Sequence, residues 1–248
     1  MRWIRRRTRG VAAGAGVLLF AVSLSAQLAP AGPAAAQQSP PAPPAPPPPA
    51  PPRFVVVIDA AHGGDDTGGH LNDGQLEKVA TLALSVRLRS LLGARGIQVV
   101  TTREADQSLD ADRRAEIVNR AKAQACISLH AAETGSGVHL FVSSLSPVVA
   151  GRFVPWKTAQ AGWVTRSLGL AGVLNSALTH GGTTVTLGRT ALPGIDSMAC
   201  PAVAIELAPQ RDSDKKITAE PDDPNYEAQV AATVAAAILE WRTEARQP

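Results

Sequence analysis

The 248-residue sequence has few aromatic residues, few cysteines and no long apolar run, and its first 52 residues contain no acidic residue. Aromatic residues make up 4% of the chain, too few for the stacking surfaces that bind single-stranded nucleic acids. The two cysteines, Cys126 and Cys200, belong to no CxxC pair, which excludes the common zinc-finger and redox motifs. In an exported protein they could form a disulfide or remain two small buried thiols, and the sequence leaves both states open.

The N-terminal apolar segment is too short to be a transmembrane helix. Val11–Ala26 is shorter than the roughly 20 residues that span a bilayer, and it follows Met1–Gly10, which carries five arginines. This order of a basic segment and an apolar segment is typical of a secretory signal peptide. We therefore predict a signal peptide over residues 1–36, with cleavage near 26 or 36, and an exported protein without stable insertion in a membrane.

A proline-rich segment follows the predicted signal peptide. Ser39–Pro52 contains ten prolines, which favour extended polyproline II and pack no core, so residues 37–52 are predicted to be a disordered linker. Residues 53–248 then contain 19 basic and 21 acidic residues, a net charge of −2. A domain with this charge lacks the basic surface that nucleic acids require, so no nucleic-acid partner is predicted.

Residues 53–248 alternate between β-branched segments and helical segments. The predicted strands are Arg53–Ala60, Ile97–Thr102, Ala125–His130, Gly137–Ser143 and Pro201–Leu207. The predicted helices are Glu77–Arg95, Asp110–Ala123, Lys157–Thr179 and Tyr226–Glu244. This alternation predicts an α/β fold: a single domain with a mostly parallel or mixed central sheet, flanked by helices on both faces.

Polar side chains gather where the predicted strands end. His62 follows a buried strand, His130 ends another, Glu206 interrupts the apolar strand "AVAIELA", and Glu77 begins a helix. Two imidazoles and one carboxylate form a three-ligand zinc set that leaves a fourth position for water. Each residue also has an ordinary structural role open to it, such as a helix-dipole role for Glu77. Glu206 is the hardest to explain in this way, because a buried carboxylate requires a metal, a water or an arginine close by.

Four segments of the sequence resemble a known enzyme family. They are, in chain order, "VVVIDAAHGGDDTGG", "LEKVATLALSVRLRSLLGARGIQVVTTR", "SLDADRRAEIVNRAKAQACISLHA" and "CPAVAIELA". In this order they resemble the zinc-dependent N-acetylmuramoyl-L-alanine amidases of the amidase_3 family, which hydrolyse bacterial cell walls. Several segments match in order and in spacing, which makes the resemblance more specific than a single His-Gly-Gly motif.

The resemblance implies a site and a reaction. It implies that His62, Glu77 and His130 bind Zn²⁺ and that Glu206 is the catalytic glutamate, which exchanges protons with the attacking water and the leaving amine. The implied substrate is peptidoglycan, and the implied bond joins N-acetylmuramic acid to L-alanine of the stem peptide. Residues 53–248 would then be the zinc amidase domain of a periplasmic or cell-wall-associated protein.

The resemblance gives weaker indications for other residues. Asp59 is interpreted either as a carboxylate that orients a ligand or as a cap or turn residue, and Asp66 as a residue that shapes the loop. Arg114 and Asn119 are expected to form salt bridges or caps on their helix. His139 matches no motif of the family, and substrate contact is a minority hypothesis for it.

The sequence also departs from the family. Ala61 occupies a position where the family usually has glycine, so a positive φ there would strain the chain. The segment 145–189 resembles the family only loosely, which leaves the residues of the substrate groove unassigned, and His70 and His180 match no motif.

Three functions remain open at this stage. The first is the zinc amidase, the second a zinc peptidase that cuts within the stem peptide, and the third a non-catalytic module that binds or regulates the cell wall. We predict no second, wall-targeting domain, so a further hypothesis is that a protein activator or the proline-rich tether positions the protein.

Overall fold

The structure is a computed structural model that describes residues 53–72, 74–149 and 153–245. The predicted signal peptide and the predicted linker lie outside the described residues. Within the described ranges, every helix is too short or too polar to cross a bilayer.

The described chain contains eight strands, five α-helices and one 3-10 helix. The strands are β1 (Val55–Ala60), β2 (Gln98–Thr101), β3 (Ala125–Ala131), β4 (Val138–Ser143), β5 (Val185–Thr190), β6 (Ala202–Leu207), β7 (Gln210–Arg211) and β8 (Ile217–Ala219). The helices are α1 (Glu77–Gly93), α2 (Ala111–Ala121), the 3-10 helix Trp156–Gly162, α3 (Val164–His180), α4 (Pro193–Asp196) and α5 (Pro224–Glu244).

Six strands form one mixed sheet in the order β2-β1-β3-β6-β4-β5. β2, β1, β3 and β6 are parallel to one another, whereas β4 pairs antiparallel with β6 and parallel with β5. The predicted α/β domain with a mostly parallel or mixed sheet is confirmed. The short hairpin of β7 and β8 forms a second, two-stranded sheet.

Helices cover both faces of the sheet, as predicted. On one face, Val56 and Ile58 pack in a large apolar cluster with buried residues of α1, α3 and α5. On the other face, Val57 packs in a smaller cluster with Val118 of α2 and Ile195 of α4. The alternation along β1 arises because successive side chains of a strand point to opposite faces.

The predicted helix Lys157–Thr179 is wrong as a single element. The 3-10 helix is separated from α3 at Trp163, and Thr158 within it has non-helical backbone angles. The side chain of Gln160 is fully buried and donates hydrogen bonds to the carbonyls of Met198 and Cys200. These contacts tie the segment to the chain before β6, and a tertiary anchor of this kind overrides local helix propensity.

Cys126 of β3 and Cys200, just before β6, form a disulfide. Their Cα atoms are 6.2 Å apart, and 74 residues of sequence separate them. Both side chains lie in the smaller apolar cluster. Of the two states that the sequence left open, the structure has the disulfide.

Removing this disulfide is expected to destabilise the protein. A closed loop of this length restricts the unfolded chain and stabilises the fold by about 4 kcal/mol in the chain-entropy model. The double variant C126A/C200A should therefore melt roughly 8–16 °C lower, as measured by calorimetry. A reductant should shift the wild type in the same direction and leave the double variant unchanged. Equal melting temperatures for oxidised and reduced wild type would contradict the expectation.

Candidate metal centre

The chain leaves β1 through a strained backbone at His62. Its φ is 61°, in the left-handed region, whereas Ala61 is not among the residues with positive φ. The structure therefore places the positive φ one residue after the position that the resemblance marked for glycine. Such a conformation costs about 1–3 kcal/mol and persists only where neighbouring groups fix it.

Two buried arginines fix the backbone around His62. Arg103 donates to the carbonyls of Ala60 and Ala61 at 2.9 and 3.0 Å. Arg114 donates to the carbonyls of Ala60 and His62 at 2.7 and 2.6 Å. Because both guanidinium groups are enclosed by protein, their hydrogen bonds hold three successive carbonyls in place and so determine where the imidazole points.

Asp59 stabilises this arrangement through Arg114. Its Oδ1 accepts hydrogen bonds from Arg114 Nη1 and Thr102 Oγ1, both at 2.7 Å, and its Oδ2 accepts one from Ser128 Oγ at 2.9 Å. The sequence predicted that Asp59 orients a ligand or serves as a cap or turn residue. In the structure Asp59 forms a buried ion pair with Arg114, which in turn holds the carbonyl of His62.

Asn119 has a different role from the predicted salt bridge or cap. Its side chain donates to the carbonyl of Ser197 at 3.0 Å and accepts from the N–H of Ala199 at 2.7 Å. It therefore joins α2 to the loop before β6, since an amide side chain can satisfy a donor and an acceptor at once.

The imidazoles of His62 and His130 meet the carboxylate of Glu77. His62 Nε2 lies 3.1 Å from Glu77 Oε2, and His130 Nδ1 lies 2.9 Å from Glu77 Oε1. One candidate ligand atom from each residue lies within 4.8 Å of the other two, so the three side chains could hold a metal ion. Among the described residues, these three form the group of His, Cys, Asp or Glu side chains whose ligand atoms lie this close together.

Asp66 orients the first imidazole. Both of its carboxylate oxygens lie 2.9 Å from His62 Nδ1, which leaves Nε2 directed at Glu77. Asp66 Oδ1 also accepts the N–H of Gly68 at 3.1 Å. It therefore shapes the loop, as the resemblance suggested, and in addition fixes the ring of His62.

Gly68 lets this loop pass close over the site. A Cβ at this position would lie 2.6 Å from Glu77 Oε2 and 2.6 Å from His62 Cδ2, and the φ of Gly68 is 66°. A side chain would therefore displace two of the candidate ligands, which explains a glycine here.

The contacts at the site shift the pKa values of Glu77 and His62. Burial opposes ionisation of Glu77, but hydrogen bonds from His130, His62 and the N–H of Gly69 outweigh it and lower the pKa of Glu77. The hydrogen bond to Glu77 is also the main reason that the pKa of His62 is raised above its ordinary value. The carboxylate is thus favoured in the anionic form that binds a metal, and protons compete with a metal for His62 up to a higher pH than at an ordinary histidine.

Glu206 lies beside His130, on the next strand of the sheet. In the register of β3 and β6 it is the direct partner of His130, so both side chains leave the same face of the sheet. Its carboxylate Oε1 lies 2.8 Å from Nδ1 of His139 on β4. This contact of His139 was not predicted from the sequence.

A cavity of about 310 Å³ opens next to the two histidines. Its polar lining includes His62, Asp66, Arg114 and His130, and its apolar lining comes from Leu109, Ala111, Leu192, Pro193 and Ile195. The cavity lies between the N-terminus of α2 and α4, so a bound group could reach the histidines from this side.

A family model described as N-acetylmuramoyl-L-alanine amidase matches residues 56–240. The chain belongs to this family. The resemblance drawn from the four sequence segments is therefore confirmed.

Two curated members of the amidase family match part of the chain. N-acetylmuramoyl-L-alanine amidase AmiA of Escherichia coli is 39% identical over 77 residues, which cover 31% of this chain and 27% of that protein. The germination-specific N-acetylmuramoyl-L-alanine amidase of Bacillus subtilis is 32% identical over 90 residues, with 31% of this chain and 38% of that protein covered. The chain thus spans well under half the length of these relatives.

Solved structures of amidases share the fold. Ami1 from Mycobacterium smegmatis has a TM-score of 0.61 at 20% identity and covers 77% of this chain and 97% of its own. Ami1 from Mycobacterium abscessus has a TM-score of 0.62 at 23% identity, with 76% and 98% covered. At these low identities, the similarity shows a shared backbone fold.

The structure brings together His62, Glu77 and His130, and it places Glu206 on the adjoining strand. His70 pairs with Leu76 in an isolated bridge, and His180 contacts the carbonyl of Ser176 at the end of α3. Sequence reasoning missed Arg103 and the partner of His139. Arg103 could have been identified from its position just after β2, which pairs with β1. An arginine side chain there is long enough to reach the backbone carbonyls at the end of β1.

Proposed function

We propose that the protein is an exported zinc amidase that hydrolyses the amide between the lactyl group of N-acetylmuramic acid and L-alanine of the peptidoglycan stem peptide. The observation that carries this proposal is the juxtaposition of His62, Glu77 and His130 with Glu206 in the register row of His130. Membership of the amidase family supports the same reaction.

The three candidate ligands fit zinc in type and in spacing. Two imidazole nitrogens and one carboxylate oxygen are the donors found in catalytic zinc sites, which keep one position open. Ligands about 2.1 Å from a tetrahedral ion lie about 3.4 Å from one another, and the contacts of His62 and His130 to Glu77 are 3.1 and 2.9 Å. A small adjustment of these side chains would therefore accommodate the ion.

The chain's own residues perform the proton transfers. A bound zinc ion would polarise the scissile carbonyl and acidify a water molecule, with a pKa brought toward ~7. Glu206 accepts the proton of the attacking water and returns a proton to the amine of L-alanine as it leaves. Its side chain is 29% exposed, so the carboxylate can contact both water and substrate.

The disulfide supports the proposed location. Disulfides persist in oxidising compartments and are rare in the cytosol, and Cys126 and Cys200 form one here. Together with the predicted signal peptide, this favours an exported protein that is periplasmic or associated with the cell wall, where peptidoglycan is found.

Hydrolysis of muropeptides tests the proposal. The purified protein should release an intact stem peptide with a free L-alanine amine, identified by mass spectrometry. A chelator should abolish release, and added zinc should restore it. Products cut within the stem would instead identify a peptidase, and activity that survives complete removal of metal would overturn the zinc mechanism.

Zinc affinity is expected to fall as the pH is lowered. His62 binds zinc only when its imidazole is neutral. Because its pKa is raised, protons compete with zinc for this side chain up to a higher pH than at an ordinary histidine. Below that pKa, each pH unit should weaken apparent binding by at least about tenfold, because His62 must lose its proton to bind. Competition titrations against a chelating dye between pH 6 and 8 measure the slope. An affinity independent of pH would show that His62 is not a ligand.

A further inference from the structure

Three side chains form one row across β3, β6 and β4. His130 pairs with Glu206 in the register of β3 and β6, and Glu206 pairs with His139 in the register of β6 and β4. Direct partners on neighbouring strands leave the sheet on the same face. The proposed zinc site and His139 therefore lie on opposite sides of the Glu206 carboxylate.

The contacts of His139 define which nitrogen carries the proton. Nδ1 lies 2.8 Å from Glu206 Oε1, and the backbone N–H of Ser136 donates to Nε2 at 3.5 Å. A backbone N–H can only donate, so Nε2 is the acceptor and the neutral imidazole has its proton on Nδ1. The Nδ1–H group then donates a hydrogen bond to Glu206 Oε1.

The imidazole of His139 is enclosed by a tight turn and by an aromatic ring. A Cβ at Gly135 would lie 2.3 Å from His139 Cε1, and the φ of Gly135 is 98°, so only glycine permits the turn to close over the ring. The ring of Phe141 meets the imidazole edge-on, with 6.2 Å between the centroids. Packing and hydrogen bonding thus hold His139 in a single orientation.

We propose that His139 is a positioning residue that orients Glu206 for proton transfer. By donating to Oε1, it fixes the carboxylate and leaves Oε2 for the water that attacks the substrate. A general base is effective only when held within hydrogen-bond reach of its proton, so a fixed carboxylate reacts faster than a rotating one. This inference rests on the proposed function, because it assigns His139 a part in that reaction.

The melting temperature of each variant separates a positioning role from a structural one. The side chains of His139 and Glu206 are only 17% and 29% exposed, so loss of their hydrogen bond should lower stability modestly. A variant that is folded at the assay temperature and still loses kcat supports the positioning role.

Three substitutions of His139 test the proposal by moving or removing the N–H group that donates to Glu206. His139→Asn places an amide N–H near the site of Nδ1, His139→Gln places one near the site of Nε2, and His139→Phe retains a ring without a donor. We expect the Phe and Gln variants to lose about 10- to 100-fold in kcat with KM and zinc content unchanged. The Asn variant should retain most of the wild-type kcat. His180→Asn, at the exposed end of α3, is the matched control and should have no effect.

A second measurement reports on the pair without turnover. Nitrogen-15 NMR of the histidine side chains at pH 8 should show His139 protonated at Nδ1 and unprotonated at Nε2. A wild-type kcat in the Phe variant, or equal kcat values in the Gln and Asn variants, would overturn the positioning role while the proposed function stands. If the wild type cleaves no muropeptide, the proposed function fails, and a proton on Nε2 would then overturn the pairing as well.

Discussion

Glu206→Gln is expected to lower kcat for muropeptide hydrolysis by about 10²- to 10⁴-fold, the usual contribution of a general base. Glutamine has nearly the same shape as glutamate, but it cannot take a proton from water or return one to the leaving amine. Because Glu206 is not among the candidate ligands, the variant should bind zinc as tightly as the wild type. Steady-state kinetics together with metal analysis measure both quantities.

The matched control for this substitution is Glu133→Gln. It removes the same charge from an exposed side chain only three residues after His130, and it should leave kcat unchanged. A Glu206→Gln variant that keeps nearly full kcat would refute the general-base role. A variant that loses its zinc as well would instead place Glu206 among the ligands.

Glu77→Gln is expected to weaken zinc binding by at least about 100-fold. Structural zinc sites bind with about 10–16 kcal/mol shared among four ligands, so one ligand contributes about 3 kcal/mol or more. Glu77 supplies the only anionic side chain of the proposed three-ligand set, and both imidazoles contact it. An amide keeps the size of the side chain but removes the charge that attracts a divalent cation.

Competition titration with a chelating dye measures this loss, and hydrolysis assays should show activity falling in parallel at limiting zinc. Glu240→Gln, on an exposed position of α5, removes the same charge away from the candidate ligands and should bind zinc normally. Wild-type affinity in the Glu77→Gln variant would show that the ion, if one binds, is held elsewhere.

The two variants separate an enzyme from a non-catalytic module, and the reaction products separate the two enzymes. A peptidase would lose activity in both variants but would cut within the stem peptide. A non-catalytic module would bind cell-wall material in both variants and would show no turnover to lose. The pattern expected for the amidase is loss of kcat without loss of zinc at Glu206, loss of zinc at Glu77, and an intact stem peptide as the wild-type product.

Some elements were predictable because their signal is local. The β-branched run of β1 and the apolar spacing of α1 appear in the sequence as they do in the structure. By contrast, β5 is an edge strand that contains Gly188 and is largely exposed, so it lacks the apolar pattern that identifies a strand. The hairpin of β7 and β8 has strands of only two and three residues, too short for any periodicity.

The amino-acid sequence by itself determined the fold class, the family and four candidate residues of the site. It could do so because parallel strands end at the same edge of a sheet, and residues at or just after the carboxyl ends of such strands therefore lie close together. His62, His130 and Glu206 are positioned in this way, and Glu77 begins the helix that follows the first of these strands.

Only the tertiary structure decided how these residues are held. The disulfide joins cysteines 74 residues apart, and the contact between His139 and Glu206 joins residues 67 apart. Arg103 and Arg114 reach back more than 40 residues to the carbonyls beside His62. Such contacts depend on the register of the strands and on the packing of helices against them, which are set by the whole core rather than by any short segment of the chain.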